Sequence, residues 1–298
     1  MISNKIVLCI LMILLGIGAA SADTLNVGQG QTYPTIQSAI DSAKTGDVIS
    51  VGEGTFSENL VIKKNGISIT GKNGEKTIID GRKIGSGIKI DGSNNVRISG
   101  LTVQNSGGSG QDDAGISLYR ANNNVVINTI LINNAVGISI YSGSNNNTVS
   151  GNEISSNGNY GIFIFSSNDN NIYNNNIQGN KKFGLYADSA RTNHIYSNNF
   201  IDDQAYDNSG LNSWDGDKSG NYWSTYKKGS GPNLIPGGAK AQDNYPLSGA
   251  VTIKTEEVPA SPEKSVANAE TKKSTPGFSG IAVLVSVIIL VLTGRKTR

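Results

Sequence analysis

The chain has few sulfur-containing and imidazole side chains. Its 298 residues include one cysteine, Cys9, two methionines, Met1 and Met12, and one histidine, His194. A single cysteine excludes an intrachain disulfide framework. His194 is also the only soft or imidazole metal ligand beyond residue 22. We therefore expect a fold held together by packing and hydrogen bonds, and no cofactor.

Aromatic residues and net charge are also low. Phe, Trp and Tyr make up 6% of the chain, and 25 basic against 23 acidic residues give a formal net charge of +2. No basic stripe interleaved with aromatic residues appears, so we expect no nucleic-acid partner. The 37 glycines are unusual for a helical or doubly wound protein.

What the chain does have is a repeat. A glycine opens a short alternating run, and an Asn-rich turn leads into a second apolar run. Successive openings lie between 22 and 28 residues apart, a period typical of solenoids. They begin at Gly87, Gly115, Gly137, Gly161 and Gly184. The repeat predicts an all-β fold, a single-domain parallel β-helix.

Alignment of the repeats sorts residues by direction, because side chains alternate across a strand. Asn152, Asn175 and Asn198 recur at intervals of 23 residues, which predicts a stacked Asn ladder. The aligned apolar positions are expected to point inward. From the first strand they are Ile88 and Ile90, Ile116 and Leu118, Ile138 and Ile140, and Ile162 and Ile164; from the second they are Ile98, Ile127, Val149, Ile172 and Ile195, then Val103, Ile132, Ile154, Ile177 and Phe200.

Outward positions of equal phase should form columns across the stacked turns. One column reads Lys89, Ser117, Ser139, Phe163 and Tyr186, and the next reads Asp91, Tyr119, Tyr141, Phe165 and Asp188. Aromatic rings suit the apolar faces of sugars, so Tyr119, Tyr141, Phe163, Phe165 and Tyr186 are candidate glycan-binding residues. The alternative is stacking between rings that only stabilises the sheet.

Catalytic groups are scarce. Hydrolysis of a glycosidic bond needs two carboxylates about 5 to 9.5 Å apart, and Asp112 with Asp113 is the only concentrated acidic pair near the aromatic columns. The alternative is that these two are solvated turn residues of a Gly/Ser-rich loop. Asp188 with Arg191 could serve a lyase or an esterase, or form a surface ion pair. His194 should point outward, beside inward Ile195.

The N-terminus has the pattern of a secretory signal peptide. Lys5 precedes an apolar run, and a small-residue cleavage pattern follows it and ends at Ala22. This order predicts a signal peptide over residues 1–22. The alternative is a retained membrane anchor. The folded domain is then expected over residues 23–250, followed by a disordered linker over 251–274 that is rich in Glu, Lys, Ser and Thr.

Residues 275–298 contain Pro276, Gly277 and Phe278, an apolar segment and a basic end. This order resembles the archaeal PGF-CTERM sorting signal. The resemblance implies an archaeal source, an archaeosortase-type processing enzyme, and a lipid that replaces the transmembrane segment. A plain single-pass anchor is the alternative. Either arrangement implies a protein held at the external face of the cell membrane.

A short amphipathic helix is expected after Tyr33, where it would cap the open end of the solenoid. The stretch from Tyr33 to Ile62 resembles the opening of pectin-lyase-like proteins, which have a right-handed parallel β-helix. The Asn-rich turns, then Asn221-Tyr222-Trp223-Ser224 and Asp243-Asn244-Tyr245-Pro246-Leu247, resemble the NosD-like family of the carbohydrate-binding and sugar-hydrolase (CASH) group.

That resemblance implies a role in copper handling, but the ligands that copper prefers are missing beyond residue 22 apart from His194. A stretch that is commonly acidic in the family is replaced here by residues 227–232, so a calcium site is not expected. Asn146-Asn147-Thr148 is an N-glycosylation acceptor, with Asn146 as the modified residue. We expect a surface protein that binds or structures polysaccharide. The alternatives are a polysaccharide hydrolase, lyase or esterase, and copper handling.

Overall fold

The chain coils in successive turns, and most turns contribute one short strand to each of three parallel sheets. The computed structural model describes residues 22–108, 110 and 113–253. Within them lie one α-helix, α1 (Ile36–Ser42), and a series of strands. In chain order the strands are β1 (Thr24–Val27), β2 (Val48–Val51), β3 (Gly54–Phe56), β4 (Leu60–Ile62), β5 (Ser68–Gly71), β6 (Thr77–Asp80), β7 (Ile88–Asp91), β8 (Arg97–Ser99), β9 (Thr102–Gln104), β10 (Ala114–Tyr119), β11 (Val125–Ile127), β12 (Ile130–Ile132), β13 (Val136–Tyr141), β14 (Thr148–Ser150), β15 (Glu153–Ser155), β16 (Tyr160–Phe165), β17 (Asn171–Tyr173), β18 (Asn176–Gln178), β19 (Phe183–Asp188), β20 (His194–Tyr196), β21 (Asn199–Ile201), β22 (Ala205–Asp207), β23 (Tyr222–Trp223), β24 (Asn233–Leu234) and β25 (Gln242–Asp243).

Every pairing within the three large sheets is parallel and joins a strand to its counterpart in an adjacent turn. Sheet A has the order β1-β2-β5-β8-β11-β14-β17-β20, sheet B β3-β6-β9-β12-β15-β18-β21-β23, and sheet C β4-β7-β10-β13-β16-β19-β22. The small β24-β25 pair is antiparallel. This is a right-handed parallel β-helix of about nine turns, which confirms the predicted fold class.

The inward positions predicted from the first strand of each repeat are confirmed. All eight side chains, from Ile88 to Ile164, are fully buried in one core. The second strand differs in one turn. There Val126 and Leu131 hold the inward positions, because Val126 aligns with Ile98 of the preceding turn. The expectation for Ile127 and Ile132 is therefore wrong by one residue. Both sets of alternating positions in this turn are apolar, so alternation alone does not show which set points inward.

The predicted ladder of Asn152, Asn175 and Asn198 is confirmed. The backbone N of each residue donates to Oδ1 of the next, at 3.1 Å in both steps, and the side-chain Nδ2 donates to the same oxygen at 2.9 Å. Asn198 continues the series to Asn221. Two further ladders share the bond from each backbone N to the next side-chain oxygen, Asn124–Asn147–Asn170–Asn193–Asn212 and Asn134–Asn157–Asn180–Asp203.

The N-terminal end of the core is closed by α1, as predicted. Its buried residues are Ile36, Ala39 and Ile40. The Thr35 hydroxyl accepts from the backbone N of Ser38, and Glu58 accepts from the first N–H groups of the helix at 2.9 and 3.0 Å. These acceptors satisfy donors that a helix start leaves free.

The C-terminal end is closed by aromatic residues. The Phe200 and Trp223 rings stack with centroids 4.2 Å apart, and Trp214 lies beside both. The indole N–H of Trp214 donates to Asp207, and that of Trp223 donates to Asp243. A series of parallel turns is thus covered at both ends.

None of the helical structure in the described part of the chain is long and apolar enough to cross a membrane. Apart from Ala22 and residues 251–253, the predicted signal peptide, linker and sorting signal lie outside the described residues, including Pro276, Gly277 and Phe278.

Candidate functional site

The outward face of sheet C carries the aromatic columns that the repeat predicted. Tyr119 aligns with Tyr141, and Tyr141 aligns with Phe165 of the next turn. In the adjacent column Phe163 aligns with Tyr186. The strand register therefore places these five side chains on one face.

Three more aromatic residues share this face and were missed from the sequence. Tyr160 and Phe183 align with each other just before the repeat glycines, and Tyr206 follows Tyr186 in the last turn of the sheet. The repeat alignment began at the glycine and ended at the fifth turn, so it passed over them. We call the eight residues the aromatic strip: Tyr119, Tyr141, Tyr160, Phe163, Phe165, Phe183, Tyr186 and Tyr206.

The rings of the strip contact one another across turns. Tyr186 and Tyr206 are nearly parallel, with centroids 5.0 Å apart and an interplanar angle of 3°. Tyr119 and Tyr141 lie 5.0 Å apart and are tilted by 38°. Stacking between turns, the alternative raised for these columns, is therefore present. Parallel rings at this distance cover part of each other's faces.

Exposure differs along the strip. Phe165 is 40% exposed, whereas Phe163 is only 2% exposed and contacts the rings of Tyr160, Phe165 and Tyr186. The expectation that Phe163 contacts a ligand therefore does not fit its burial. Burial also raises the pKa of Tyr160 and, together with nearby Asp188, that of Tyr186.

Cationic side chains border the strip at two places. Lys89 Nζ lies 5.1 Å from the ring centroid of Tyr119, and the Arg120 guanidinium carbon lies 4.8 Å from it. At the other side Lys182 Nζ lies 5.5 Å from the Tyr160 ring. These distances are those of cation–π contacts, so the strip has positive groups beside its tyrosines.

Two serines lie next to the tyrosines on the same face. Ser117 pairs with Ser139 of the next turn, and both residues are fully buried. Neither hydroxyl has a hydrogen-bond partner within the described part of the chain. A buried hydroxyl without a partner is costly, so this spot contributes less to stability than the ladders do.

The weak catalytic candidates do not come together in the described part of the chain. Asp188 accepts from Ser189 and Asn208, and no ion pair joins it to Arg191. The backbone N of Arg191 instead donates to Asn168. Asp113 accepts from the backbone N of Gly110 within its own loop, and Asp112 lies outside the described residues.

A groove of about 640 Å³ follows the turns that join sheet A to sheet B. Among its lining residues are Glu75, Ile130, Glu153, Asn176 and Ile253. The two carboxylates lie near turns about three steps apart, roughly 14 Å at the ~4.8 Å spacing of strands. That separation is too large for a pair of glycosidase carboxylates. No sequence pattern indicated this groove, because its wall combines residues of separate turns that only folding brings together.

A second groove of about 640 Å³ lies on sheet A near its last strand. His194 is exposed there, as predicted, and Asp215 and Asp217 lie nearby. Asp215 accepts from the backbone and side chain of Asn244. Within the described residues no group of three or more His, Cys, Asp or Glu side chains is arranged to hold a metal ion.

Asn146 is exposed in a turn and has a φ of 57°. Its side chain is accessible to an attached glycan, so it stays a predicted modification site.

A family model described as periplasmic copper-binding protein (NosD) matches residues 22–228. Copper chemistry does not fit the donors of this chain, because His194 is the only cysteine, methionine or histidine side chain in that range. A search of curated proteins found no match.

Among solved structures, an alginate lyase from Paenibacillus sp. str. FPU-7 is 16% identical, with 70% of this chain and 77% of that chain covered and a TM-score of 0.44. A pectate lyase from Bacillus sp. N165, in complex with trigalacturonate, is 14% identical, with 93% and 94% covered and a TM-score of 0.46. A periplasmic alginate epimerase is 16% identical with a TM-score of 0.48, and the match spans 72% of this chain and 50% of the epimerase. Likeness at this level concerns the fold alone.

Proposed function

The chain belongs to the NosD family, and we propose that it acts outside the cytoplasm as a binding protein whose aromatic strip contacts polysaccharide of the cell envelope or its surroundings. The observation that carries the proposal is the continuity of the strip over the outward face of five successive strands of sheet C. At ~4.8 Å per turn the strip is about 19 Å long. A linear, repeating surface suits a linear, repeating ligand.

The chemistry of the strip supports this ligand class. Tyrosine combines an apolar ring with a hydroxyl group, and sugars likewise combine C–H surfaces with hydroxyl groups. Phe165 supplies exposed apolar surface, and Lys89, Arg120 and Lys182 lie beside the tyrosines. Positive groups at this spacing favour a polysaccharide that carries carboxylate or sulfate groups.

Binding without catalysis is the better-supported reading. An enzyme would need Asp112, Asp113 or Asp188 to meet a basic partner in a cleft, and Asp188 is engaged with neutral side chains. The copper role of the family description is not proposed for this chain, because His194 is its only copper-preferred ligand in the matched range.

The termini complete the proposal. A signal peptide over residues 1–22 would direct export with cleavage after Ala22, and residues 251–274 would form a stalk. Residues 275–298, with Pro276, Gly277 and Phe278, would be recognised by an archaeosortase-type enzyme and exchanged for a lipid, or would remain as a membrane anchor. Both arrangements would hold the folded domain at the external face of an archaeal cell membrane.

The test is polysaccharide binding by the wild type and by a triple variant, Tyr119→Ala, Tyr141→Ala and Phe165→Ala. Loss of three ring contacts worth about 0.5 to 1.5 kcal/mol each should weaken binding roughly tenfold or more. The measurement is equilibrium binding to a glycan array that includes neutral and acidic polysaccharides.

The matched control replaces the stacked pair Tyr173 and Tyr196 on sheet A, whose centroids are 5.3 Å apart, by alanine. It removes aromatic side chains from a different face and should leave binding unchanged. Unchanged binding in the triple variant with the fold intact would rule out the strip as the binding face. Release of reducing or unsaturated sugars by the wild type would favour the enzyme alternative.

A further inference from the structure

The two serines beside the tyrosines of the aromatic strip are an exception among the buried polar groups. Ser117 and Ser139 are fully buried. Apart from Nε of Arg97, their hydroxyls are the only buried side-chain nitrogen or oxygen atoms of the described residues without a hydrogen-bond partner. The buried hydroxyl of Ser144, in contrast, donates to the carbonyl of Leu118. Because an unpaired buried hydroxyl lowers stability, two of them side by side on this face point to a partner from outside the chain.

The strand register gives both hydroxyls a defined neighbourhood. Ser117 aligns with Lys89 of the preceding turn and with Ser139 of the following turn. Each serine precedes a tyrosine of the strip, Tyr119 or Tyr141, by two residues, and side chains two residues apart on a strand share a face. The serine pair therefore has a cation at one end of its column and two tyrosine rings along its side.

The cations at this spot have no acidic partner. Lys89 Nζ lies 5.1 Å and the Arg120 guanidinium carbon 4.8 Å from the centroid of the Tyr119 ring. Asp91, which aligns with Tyr119, pairs with Lys63 at 3.6 Å. Neither Lys89 nor Arg120 forms an ion pair within the described part of the chain. Ammonium, guanidinium and hydroxyl groups all donate hydrogen bonds, so the group that complements them is an acceptor with negative charge.

The tyrosines beside the serines are packed less regularly than those in the last turns of the strip. The rings of Tyr119 and Tyr141 have centroids 5.0 Å apart and are tilted by 38°, whereas Tyr186 and Tyr206, at the same centroid distance, are tilted by only 3°. Tyr119 and Tyr141 are half-buried, and side chains at the surface change rotamer within nanoseconds. Rotation of these two rings away from the column is the movement that would uncover the hydroxyls.

We propose that Ser117, Ser139 and Lys89 form a subsite for the acidic group of a sugar, a carboxylate or a sulfate, which enters as the neighbouring tyrosine rings turn aside. Arg120 adds positive charge beside it. The subsite rests on the polysaccharide binding proposed above, and it assigns within that face the residues that distinguish an acidic ligand from a neutral one. It also explains why the hydroxyls are unpaired within the chain, since their acceptor belongs to the ligand.

The test compares the full-length wild type with the double variant Ser117→Ala and Ser139→Ala. Removal of two unpaired buried hydroxyls should raise the midpoint of thermal unfolding by about 2 to 4 °C. The same change should weaken binding to an acidic polysaccharide roughly tenfold, because the charged group loses hydrogen-bond donors. Equilibrium binding is measured with polygalacturonate, its neutral methyl ester and dextran sulfate as probes.

Ser99→Ala is the matched control. Ser99 is a fully buried serine on sheet A, and its hydroxyl lies 3.2 Å from that of Thr70 in the aligned position of the preceding turn. Its removal should not raise the unfolding midpoint and should leave binding unchanged. A double variant that gains stability and loses affinity only for the acidic probes supports the subsite, and the probe most affected identifies the group as carboxylate or sulfate.

Wild-type affinity of the double variant for both acidic probes would overturn the subsite, while the strip itself would still be judged by the triple variant of Tyr119, Tyr141 and Phe165. An equal loss of affinity for polygalacturonate and its methyl ester would overturn it too, because the hydroxyls would then not distinguish charge. So would a wild type that binds neither acidic probe; the neutral polysaccharides of the glycan array would in that case still decide the proposed function.

Discussion

The glycine that opens each repeat is required by its neighbours and not by its own φ angle. None of the five repeat glycines has a positive φ. A Cβ built on Gly161 would lie 2.5 Å from the carbonyl O of Gly184 and 2.9 Å from Asn180 Nδ2. The neighbouring turn and the third Asn ladder thus come too close to leave room for a methyl group. The glycine marks a point where two backbones and a ladder side chain meet.

Gly161→Ala is expected to destabilise the protein by about 2 kcal/mol or more, because the added carbon forces the stacked turns apart. Gly158→Ala is the matched control. It lies three residues away, and its Cβ would meet nothing closer than the Asn134 carbonyl O at 3.6 Å. Urea unfolding of both variants measures the difference. Equal stabilities would show that the turns adjust without strain.

The inward isoleucines and the outward tyrosines of the repeats could be predicted from the sequence because each has a fixed place after the glycine. Val126 and Leu131 could not, since their turn is apolar in both phases. The burial of Phe163 could not either. It depends on Tyr160 and Tyr186, which approach it only once the turns are stacked.

At the scale of the element, the third Asn ladder ends in a carboxylate. Asp203 takes the place that Asn occupies in the three preceding turns and accepts from the backbone N and Nδ2 of Asn180. Burial raises the pKa of Asp203 above its ordinary value of 3.8, although the Asn180 donors lower it in part. The folded state therefore binds this proton more tightly than the unfolded chain does.

Asp203→Asn is expected to stabilise the protein at neutral pH by about 1 kcal/mol, because an amide accepts from Asn180 without a buried charge. Because its pKa is raised on folding, Asp203 contributes least to the free energy of unfolding once the pH exceeds its folded pKa. The stability gained by Asp203→Asn should thus be absent near pH 3 and grow as the pH rises through and above 3.8. Thermal unfolding of both proteins across pH 3 to 8 measures it, and a gain that is constant with pH would contradict this account.

At the scale of the whole molecule, the two ends of the fold differed in how far they could be predicted. The helix pattern after Tyr33 indicated the N-terminal cap. The role of Trp214 and Trp223 as the C-terminal lid was not evident, because it depends on Asp207 and Asp243 brought close by folding. The side chain of Asn199 hydrogen-bonds to the main chain of Val251, 52 positions away, a distance at which no local pattern operates.

The proposed export and sorting predict a shortened mature chain. Intact-mass analysis of the protein isolated from its cell surface should give an N-terminus at Asp23 and, if the sorting signal is exchanged for a lipid, a C-terminus near Pro276 with added lipid mass. Replacing Pro276, Gly277 and Phe278 by alanine should leave residues up to Arg298 in place. A mature chain that keeps residues 1–22 would contradict the predicted signal peptide.

In every large sheet a strand pairs only with its counterparts in neighbouring turns. A turn of about 23 residues duplicated or deleted in the middle of the chain would meet neighbours with the same register and leave both lids untouched. Duplication of the turn that holds Tyr160 and Phe165 would lengthen the strip by one step of about 4.8 Å. The length of the solenoid can therefore change in discrete steps of one turn, by gene duplication, without any change to its two ends.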